Sequence, residues 1–378
     1  MNVMELCLSA GLGGLELYVY RSSEALANSQ SNQNTVTTVL RRNSKLDKYY
    51  KEHSSFNIPS SNVHHIKPFF NPLPLISAIK LANVIDNSNI DVIHMHWGKD
   101  LPLAAFAKAF SRRKPALVYT RQMMITRPKN DFYHNFLYRQ LDLMLTITKE
   151  LEGLCKKFIP LFSDKITTLY YGVKEPDKLL DKSQIQQQRE NLGFSKNDFI
   201  AGLIGRLEES KGQHLLIEAL HTAQQNGHHI KALIVGHEMN PGYRDKLKNQ
   251  ASKLGVLNNI IFQDFTNDPQ QLMQLCDCVI LASGQETFGL VLPEAMRSAI
   301  AVIGSNSGGV PEIIDHEKTG LLFESGNSND LYLQIKKMYI DPEFKNNIAK
   351  HGKQSADEHF NNTLHFARLE QHLKTIIT

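Results

Sequence analysis

The chain is poor in tryptophan and cysteine and has no long uncharged apolar run. Its four cysteines, Cys7, Cys155, Cys276 and Cys278, are too scattered for a disulfide framework. The Cys-x-Cys spacing of the last two suits neither a zinc knuckle nor a redox pair, so they read as buried thiols in a reducing compartment. No uncharged apolar stretch reaches the roughly 18 residues of a membrane-spanning helix. The first twenty residues carry Glu5 and Glu16 and lack a basic start, which argues against a signal peptide. No P-loop ending Gly-Lys-Ser/Thr is present, and no Asp-x-Asp run stands at a strand end to hold Mg²⁺ or Mn²⁺. These absences point to a cytoplasmic protein without a metal centre.

What is there is 42% apolar and 21% charged, the balance of a soluble globular protein. The length suggests two domains, each with room for a core. Charge is uneven: residues 1–170 carry 21 Lys and Arg against 13 Asp and Glu, and the rest carry 21 against 25. A basic half beside an acidic one suggests an anionic partner for the first half alone. Ordinary surface solvation accounts for so small an excess equally well, and no nucleic-acid partner is expected.

Val3 to Leu8 is a short apolar strand. It runs into Ala10-Gly11-Leu12-Gly13-Gly14-Leu15-Glu16 and then an amphipathic stretch, Leu17 to Leu26. Strand, glycine turn and helix let backbone N–H groups approach a phosphate. The dinucleotide fingerprint fails, because Glu16 occupies the third glycine position. The next strand, Thr35 to Leu40, ends in Arg41-Arg42 without an acid for a ribose, which argues against NAD. Strands at Val63 to Ile66, Asp91 to His94 and Ala116 to Tyr119 alternate with helix-like runs at Pro74 to Val84 and Leu101 to Phe110. That alternation predicts a doubly wound parallel sheet.

Two strand ends carry candidate site residues. His96 could line a cleft as hydrogen-bond donor or proton carrier, or be a structural core histidine. Arg121, Arg127 and Lys129, interleaved with Met123, Met124 and Ile125, suit an amphiphilic acceptor or a membrane surface, or simply a solvated loop. Arg112-Arg113-Lys114 extends the same basic side or caps a helix end.

Tyr170-Tyr171-Gly172-Val173 and the Gln-rich stretch to about Asn197 read as an inter-domain hinge. A second series follows: a strand at Phe199, the segment Arg206-Leu-Glu-Glu-Ser-Lys211-Gly212, and a helix from Leu215 to Gln225. Further strands are expected at Lys231 to Val235, Asn259 to Phe262, 277–282 and Ala301 to Gly304, the last leading through a glycine turn, SNSGGVPEII (305–314), onto a helix. Gln354 to Thr378 reads as one helical stretch, with Phe360, Leu364, Leu369 and Leu373 near helical spacing, packing back on the first domain. The expected domains are 1–172, 173–355 and a helix at 356–378.

The pivot is LASGQETFGLVLPEAM (281–296), a buried strand end, a Ser283-Gly284 break and a helix from about Phe288. Glu286 then lies at the helix mouth and Glu294 about two turns in, with the amides of Thr287, Phe288, Gly289 and Leu290 between them. Arg206 and Lys211, five apart after a strand, can neutralise a diphosphate. An ion pair of Arg206 or Lys211 with Glu208 or Glu209 is the plainer alternative.

In these motifs the chain resembles the retaining GT-B glycosyltransferases of family 4 that build lipopolysaccharide and other surface glycans. The resemblance rests on Gly13-Gly14-x-Glu16, GRLEESKG (205–212), the Glu286/Glu294 pair within ETFGLVLPEAM, and the Ser307-to-Glu312 run. It implies two Rossmann-like α/β domains facing a cleft, the first binding acceptor and the second donor. Arg206 and Lys211 would hold the donor diphosphate, and Glu294 the ribose. Glu286 and Thr287 to Leu290 would hold the donor sugar and its phosphates, with Phe265-Thr266 at the base. Gly13 and Gly14 would let the first domain close over the diphosphate, and Glu16, His96, Arg121 and Gln122 would serve the acceptor.

The family's histidine at the fifth strand end is replaced here by Gln122, which cannot carry a proton, so His96 is the candidate to cover part of its role. Catalysis would rest on Arg206, Lys211, Glu286 and His96, without metal or cofactor, on a nucleotide-sugar donor, UDP-sugar favoured, and a glycan or lipid-linked acceptor. Peripheral contact with an anionic membrane is part of the same expectation. A sugar-nucleotide epimerase and a non-catalytic nucleotide-sugar binding protein are the competing readings.

Overall fold

The computed structural model describes residues 1–29, 34–53, 62–67 and 73–377. The chain divides into two units, Met1–Tyr170 with Thr363–Thr378, and Tyr171–Asn362. Among the described residues no helix is long and apolar enough to cross a membrane. The four cysteines are buried and free.

Unit 1 is built on strands β1 (Asn2–Cys7), β2 (Thr35–Leu40), β3 (Val63–His65), β4 (Val92–Met95), β5 (Ala116–Arg121), β6 (Leu143–Thr146) and β7 (Ile166–Thr168). They form one sheet in the order β3-β2-β1-β4-β5-β6-β7, every pair parallel. Val3, Met4, Leu6 and Cys7 of β1 are all fully buried, as expected of a strand covered on both faces by crossover helices. Those helices are α1 (Gly14–Ala27), α2 (Lys45–Glu52), α3 (Leu75–Asn87), α4 (Leu101–Phe110), α5 (Phe132–Tyr138) and α6 (Lys149–Phe158). The strand order reverses between β1 and β4, which leaves a crevice outside their carboxyl ends. β6, α6 and β7 lengthen the series read from the sequence.

Unit 2 repeats the design with β8 (Phe199–Ile204), β9 (Ile230–Val235), β10 (Ile260–Gln263), β11 (Cys278–Leu281), β12 (Ala301–Ser305) and β13 (Leu321–Phe323). The order is β10-β9-β8-β11-β12-β13, again all parallel, with the reversal between β8 and β11. The helices are α7 (Lys182–Leu192), α8 (Gln213–Gln225), α9 (Tyr243–Lys253), α10 (Pro269–Met273), α11 (Val291–Arg297), α12 (Ser328–Ile340) and α13 (Pro342–His359). The core joins α8, α9 and α12 to the strands through Leu216, Leu220, Leu247, Ile280, Ile303 and Ile335.

Three expectations need correction. The Gln-rich stretch is not an open hinge: residues 182–192 are α7, capped by Asp181 with Gln184 and ended by Gly193 at φ +94°. α7 buries no residue, so no apolar period announced it. It is moored instead by Arg189, which reaches Asp277 Oδ2 at 3.1 Å and the Leu275 carbonyl at 2.9 Å. The Ser307–Glu312 run leads only to a single 3-10 turn, Val310–Glu312, rather than a helix.

The C-terminal stretch is two helices, not one. α13 belongs to unit 2, and α14 (Asn362–Ile377) begins after a break at Phe360. Phe360 faces Phe288 edge-on at 5.7 Å within unit 2, and Leu364 is 44% exposed. The apolar stripe of α14 is His365, Phe366, Leu369 and Leu373. In unit 1 it meets α1, where the Tyr18 hydroxyl lies 2.9 Å from His365 Nε2.

Candidate functional site

In unit 2 the loops after β8 and β11 flank the point where strand order reverses, and they carry the charges singled out in the sequence. The β8 loop is fixed by backbone: Gly205 N–H donates to Val235 and Leu207 N–H to His237, while buried Gln213 donates to the Arg206 carbonyl at 2.8 Å. Arg206 projects from this frame with its side chain half exposed and its guanidinium 3.0 Å from Glu208. The surface ion pair weighed against a ligand role is therefore present for Arg206. Lys211 instead turns to Glu286, Nζ to Oε2 at 2.7 Å, each side chain about one-fifth exposed. This pair spans the two loops, and Gly284 N–H to the Ser210 carbonyl adds a backbone tie.

The run Ser307-Gly308-Gly309 explains how Glu286 is held. Gly309 N–H donates to the Glu286 carbonyl at 3.0 Å, and Ser305 and Ser307 hydroxyls donate to Ser283 and Gly284 carbonyls. Gly308 sits at φ +58°, and a Cβ there would collide with the Glu286 carbonyl oxygen. Gly212, at φ +72°, likewise lies against the Ala282 carbonyl. Only glycine tolerates both the left-handed backbone and the approach. Recurrence of a Gly-Gly pair after a third strand was the available signal for this support.

The helix of the pivot starts later than expected. Gly289 is at φ +97° and α11 runs from Val291, so Glu294 lies in its first turn rather than two turns in. Phe288 is buried against Tyr171 and Phe360, which leaves only its backbone for a ligand. Glu286, Thr287, Leu290 and Glu294 remain partly exposed. Phe265, 63% exposed, follows β10 and meets His237 edge-on at 5.8 Å. Thr266 accepts the Asp268 N–H at the start of α10, and Gln270 of that helix reaches the Glu294 carbonyl at 3.4 Å. Arg206, Phe265 and Glu286 thus stand on loops leaving the carboxyl edge of one parallel sheet.

In unit 1 the expected acceptor residues divide into structural and open groups. Glu16 folds back on its own loop, accepting from Gly13 N–H at 2.8 Å and from the Ser9 hydroxyl, so it caps α1. Gly13 is the N-cap, and the Cα of Gly14 faces open space. His96 does not line an open cleft; its side chain has no exposed surface. Its Nε2 lies 2.5 Å from Glu5 Oε2, and His94, on the same strand face two residues earlier, places Nδ1 3.0 Å from Glu5 Oε1.

Burial alone would raise the Glu5 carboxyl, but His94 and His96 overcome it and hold it at about 2. Burial, with His94 adding to it, pushes His96 down to about 4 against the pull of Glu5. An ionised Glu5 only accepts, so the His96 proton sits on Nε2 and is committed to it. Burial and His94 both favour the neutral form of His96, which counts against a role as proton carrier. The His-x-His spacing on one strand was a signal for this cluster, but its acid is 89 residues away on β1.

Glu5, His94 and His96 are also close enough to hold a metal ion, though their ligand atoms are already engaged with one another. Asp100 accepts the Leu8 N–H at 2.9 Å, and burial raises its carboxyl to about 8 against that bond. At the end of β5, Gln122 is buried, with neither amide atom partnered among the described residues. Arg121, also buried, opens onto a cavity of about 710 Å³.

Comparison with known proteins bears on family and fold. Residues 12–175 match the family model described as Glycosyltransferase Family 4, and residues 184–355 that of Glycosyl transferases group 1. Over 295 residues the chain is 25% identical to N-acetyl-alpha-D-glucosaminyl L-malate synthase of Bacillus anthracis, covering 76% of each protein. It is 26% identical to N-acetylgalactosamine-N,N'-diacetylbacillosaminyl-diphospho-undecaprenol 4-alpha-N-acetylgalactosaminyltransferase of Campylobacter jejuni, over 77% of this chain and 80% of that one. The structure of Anabaena HepE in complex with UDP superposes with a TM-score of 0.84 at 24% identity, over 99% of this chain and 100% of that one. With two parallel-sheet units, a cation–carboxylate pair at the strand reversal of the second, and a family model matched to each half, the chain belongs to the GT-B glycosyltransferases of family 4.

Proposed function

We propose that the protein transfers a sugar, with retention, from a UDP-sugar to a glycan or lipid-linked acceptor in the synthesis of a surface polysaccharide. The observation that carries this reading is the Lys211–Glu286 pair spanning the β8 and β11 loops, with Arg206 half exposed beside the same strand reversal. Breaking an anomeric C–O bond puts negative charge on the departing diphosphate. Arg206 and Lys211 are placed to take that charge, exchanging Glu208 and Glu286 for phosphate oxygens, which is electrostatic catalysis by fixed side-chain cations rather than by a metal ion. Because both cations are partly solvated, exchanging one anion for another costs little. Glu286, released from Lys211, orients the donor sugar, and Glu294 holds the ribose. Phe265-Thr266 flanks the base, and Thr287 to Leu290 offer backbone to sugar and phosphates.

Gly14, open at the start of α1, is the proposed backbone approach to a phosphate in unit 1. Gln122 meets an acceptor hydroxyl through its free amide. UDP as the nucleotide accords with the UDP-bound structural neighbour, and surface-glycan synthesis with the diphospho-undecaprenol named for the Campylobacter relative. A lipid-linked acceptor places the enzyme at the cytoplasmic face of a membrane. Incubation with UDP-sugars, with and without a lipid-diphosphate glycan, tests the reading by product analysis and anomeric NMR. A new α-linked product that forms only with acceptor is expected. An epimerised nucleotide sugar without acceptor would replace the reading, and absence of turnover on every donor would reject it.

A further inference from the structure

Arg121 closes β5 inside unit 1 and is 8% exposed. Its guanidinium meets only neutral oxygens among the described residues: the Met124 carbonyl at 3.2 Å, the Tyr119 hydroxyl at 3.5 Å and the Tyr138 hydroxyl. Nε has no partner, and no carboxylate pairs with Arg121 among the described residues. An arginine cannot shed its proton to escape burial, and an ion taken from water without a counter-charge is costly. Such a side chain is out of balance until an anion joins it.

The cavity it lines has the matching character. Lys129 stands on the same wall, Trp97, Tyr119 and Tyr133 supply aromatic surface, and Met123 is 59% exposed at its edge. Among the described residues no Asp or Glu lines the cavity. Asp131, which follows this wall in sequence, is occupied with His134 and the cap of α5. Burial, then Arg127 and Arg121, push the Lys129 ammonium below its ordinary value, with Asp131 opposing. The wall is therefore a field of like charge. About 710 Å³ is within the ordinary size of small-ligand pockets.

We infer that this cavity binds the anionic end of a ligand with an apolar body, its carboxylate or phosphate received by the Arg121 fork and Lys129. If the ligand is the acceptor, the inference rests on the transferase reading and adds that the acceptor carries a negative charge close to its apolar part. The fork geometry of guanidinium suits both oxyanions, so the ligand class is set by charge and body together.

Binding without turnover tests this independently of catalysis. The full chain is titrated at constant ionic strength with octyl phosphate, octanoate and octyl glucoside, all below micelle formation, while UDP affinity is measured in parallel. One or both anions should bind at least tenfold more tightly than octyl glucoside, and which does so distinguishes phosphate from carboxylate. Arg121→Gln should lower that affinity at least tenfold and leave UDP binding within twofold. Should Arg121→Gln not fold, Lys129→Gln at the rim should still weaken the anion at least threefold. Equal binding of the neutral octyl compound, no binding of either anion, or loss of the anion in Arg206→Ala/Lys211→Ala instead would overturn the inference. Failure of the UDP measurement with intact octyl-anion binding would count against the donor site alone.

Discussion

The two units share the same order over six strands, to which unit 1 adds a seventh, yet they treat charge at the strand reversal in opposite ways. In unit 1 the acid, Glu5, lies on β1 itself and is locked to His94 and His96 with no exposed surface. In unit 2 the charges stand on loops beyond the strands, and Lys211 and Glu286 are each about one-fifth exposed. The difference teaches what each can do. Removing one member of a buried cluster strands its partners without water, at a cost of about 3–5 kcal/mol. A partly solvated pair can be parted and re-formed with a ligand for less than that. The same topology thus yields a rigid polar core in one half and an exchangeable pair in the other.

The sharpest way to break this comparison is Glu5→Ala, which should cost about 3–5 kcal/mol of stability, read from denaturant midpoints at constant slope. A loss below about 1 kcal/mol would mean that the cluster is not the buried device described. Next in size, Arg206→Ala with Lys211→Ala should lower turnover at least ~100-fold, about 2.7 kcal/mol in the barrier, with the melting temperature nearly unchanged. Ordinary activity in that double variant would remove the diphosphate assignment. Glu294→Ala should weaken binding of free nucleoside diphosphate roughly tenfold, about 1.4 kcal/mol, by calorimetry, and unchanged affinity would release it from the ribose.

The last test concerns pH dependence and Asp100. Its folded pKa, about 8, stands above its unfolded value, so the native state holds the proton longer. The favourable contribution is complete below about pH 4 and is lost as pH rises towards 8. Asp100→Asn keeps an acceptor for Leu8 N–H and should therefore gain stability at pH 8 relative to wild type more than at pH 5. An equal difference at both values would show that Asp100 does not titrate in this window.

Much of the fold was legible. Apolar runs bounded by glycine mark β1, β8, β9 and β12, because parallel strands buried on both faces need continuous hydrophobic residues. The β8 and β11 loops were legible because glycines and charges recur where chain direction reverses. α7 was not, since its stability comes from a cap and from Arg189 on Asp277 rather than from an apolar face. The late start of α11 was also hidden: Gly289 at φ +97° spends three residues on a turn that composition does not distinguish from helix. His96 was found, but its commitment to Glu5 depends on a contact across 91 residues of chain.

By itself the sequence determined the two wound sheets, the ordering of cations and acids along them, and the motifs that name the family. These are local properties, written in period, glycine placement and spacing. Tertiary structure alone decided which of those charges met a partner and which stayed available. Lys211 chose Glu286 while Arg206 kept Glu208, His96 committed its Nε2 to a hydrogen bond with Glu5, and Arg121 was enclosed with no counter-ion among the described residues. The reason is physical: the worth of a charge depends on the solvent and neighbours around it, and both are set by residues distant in the chain.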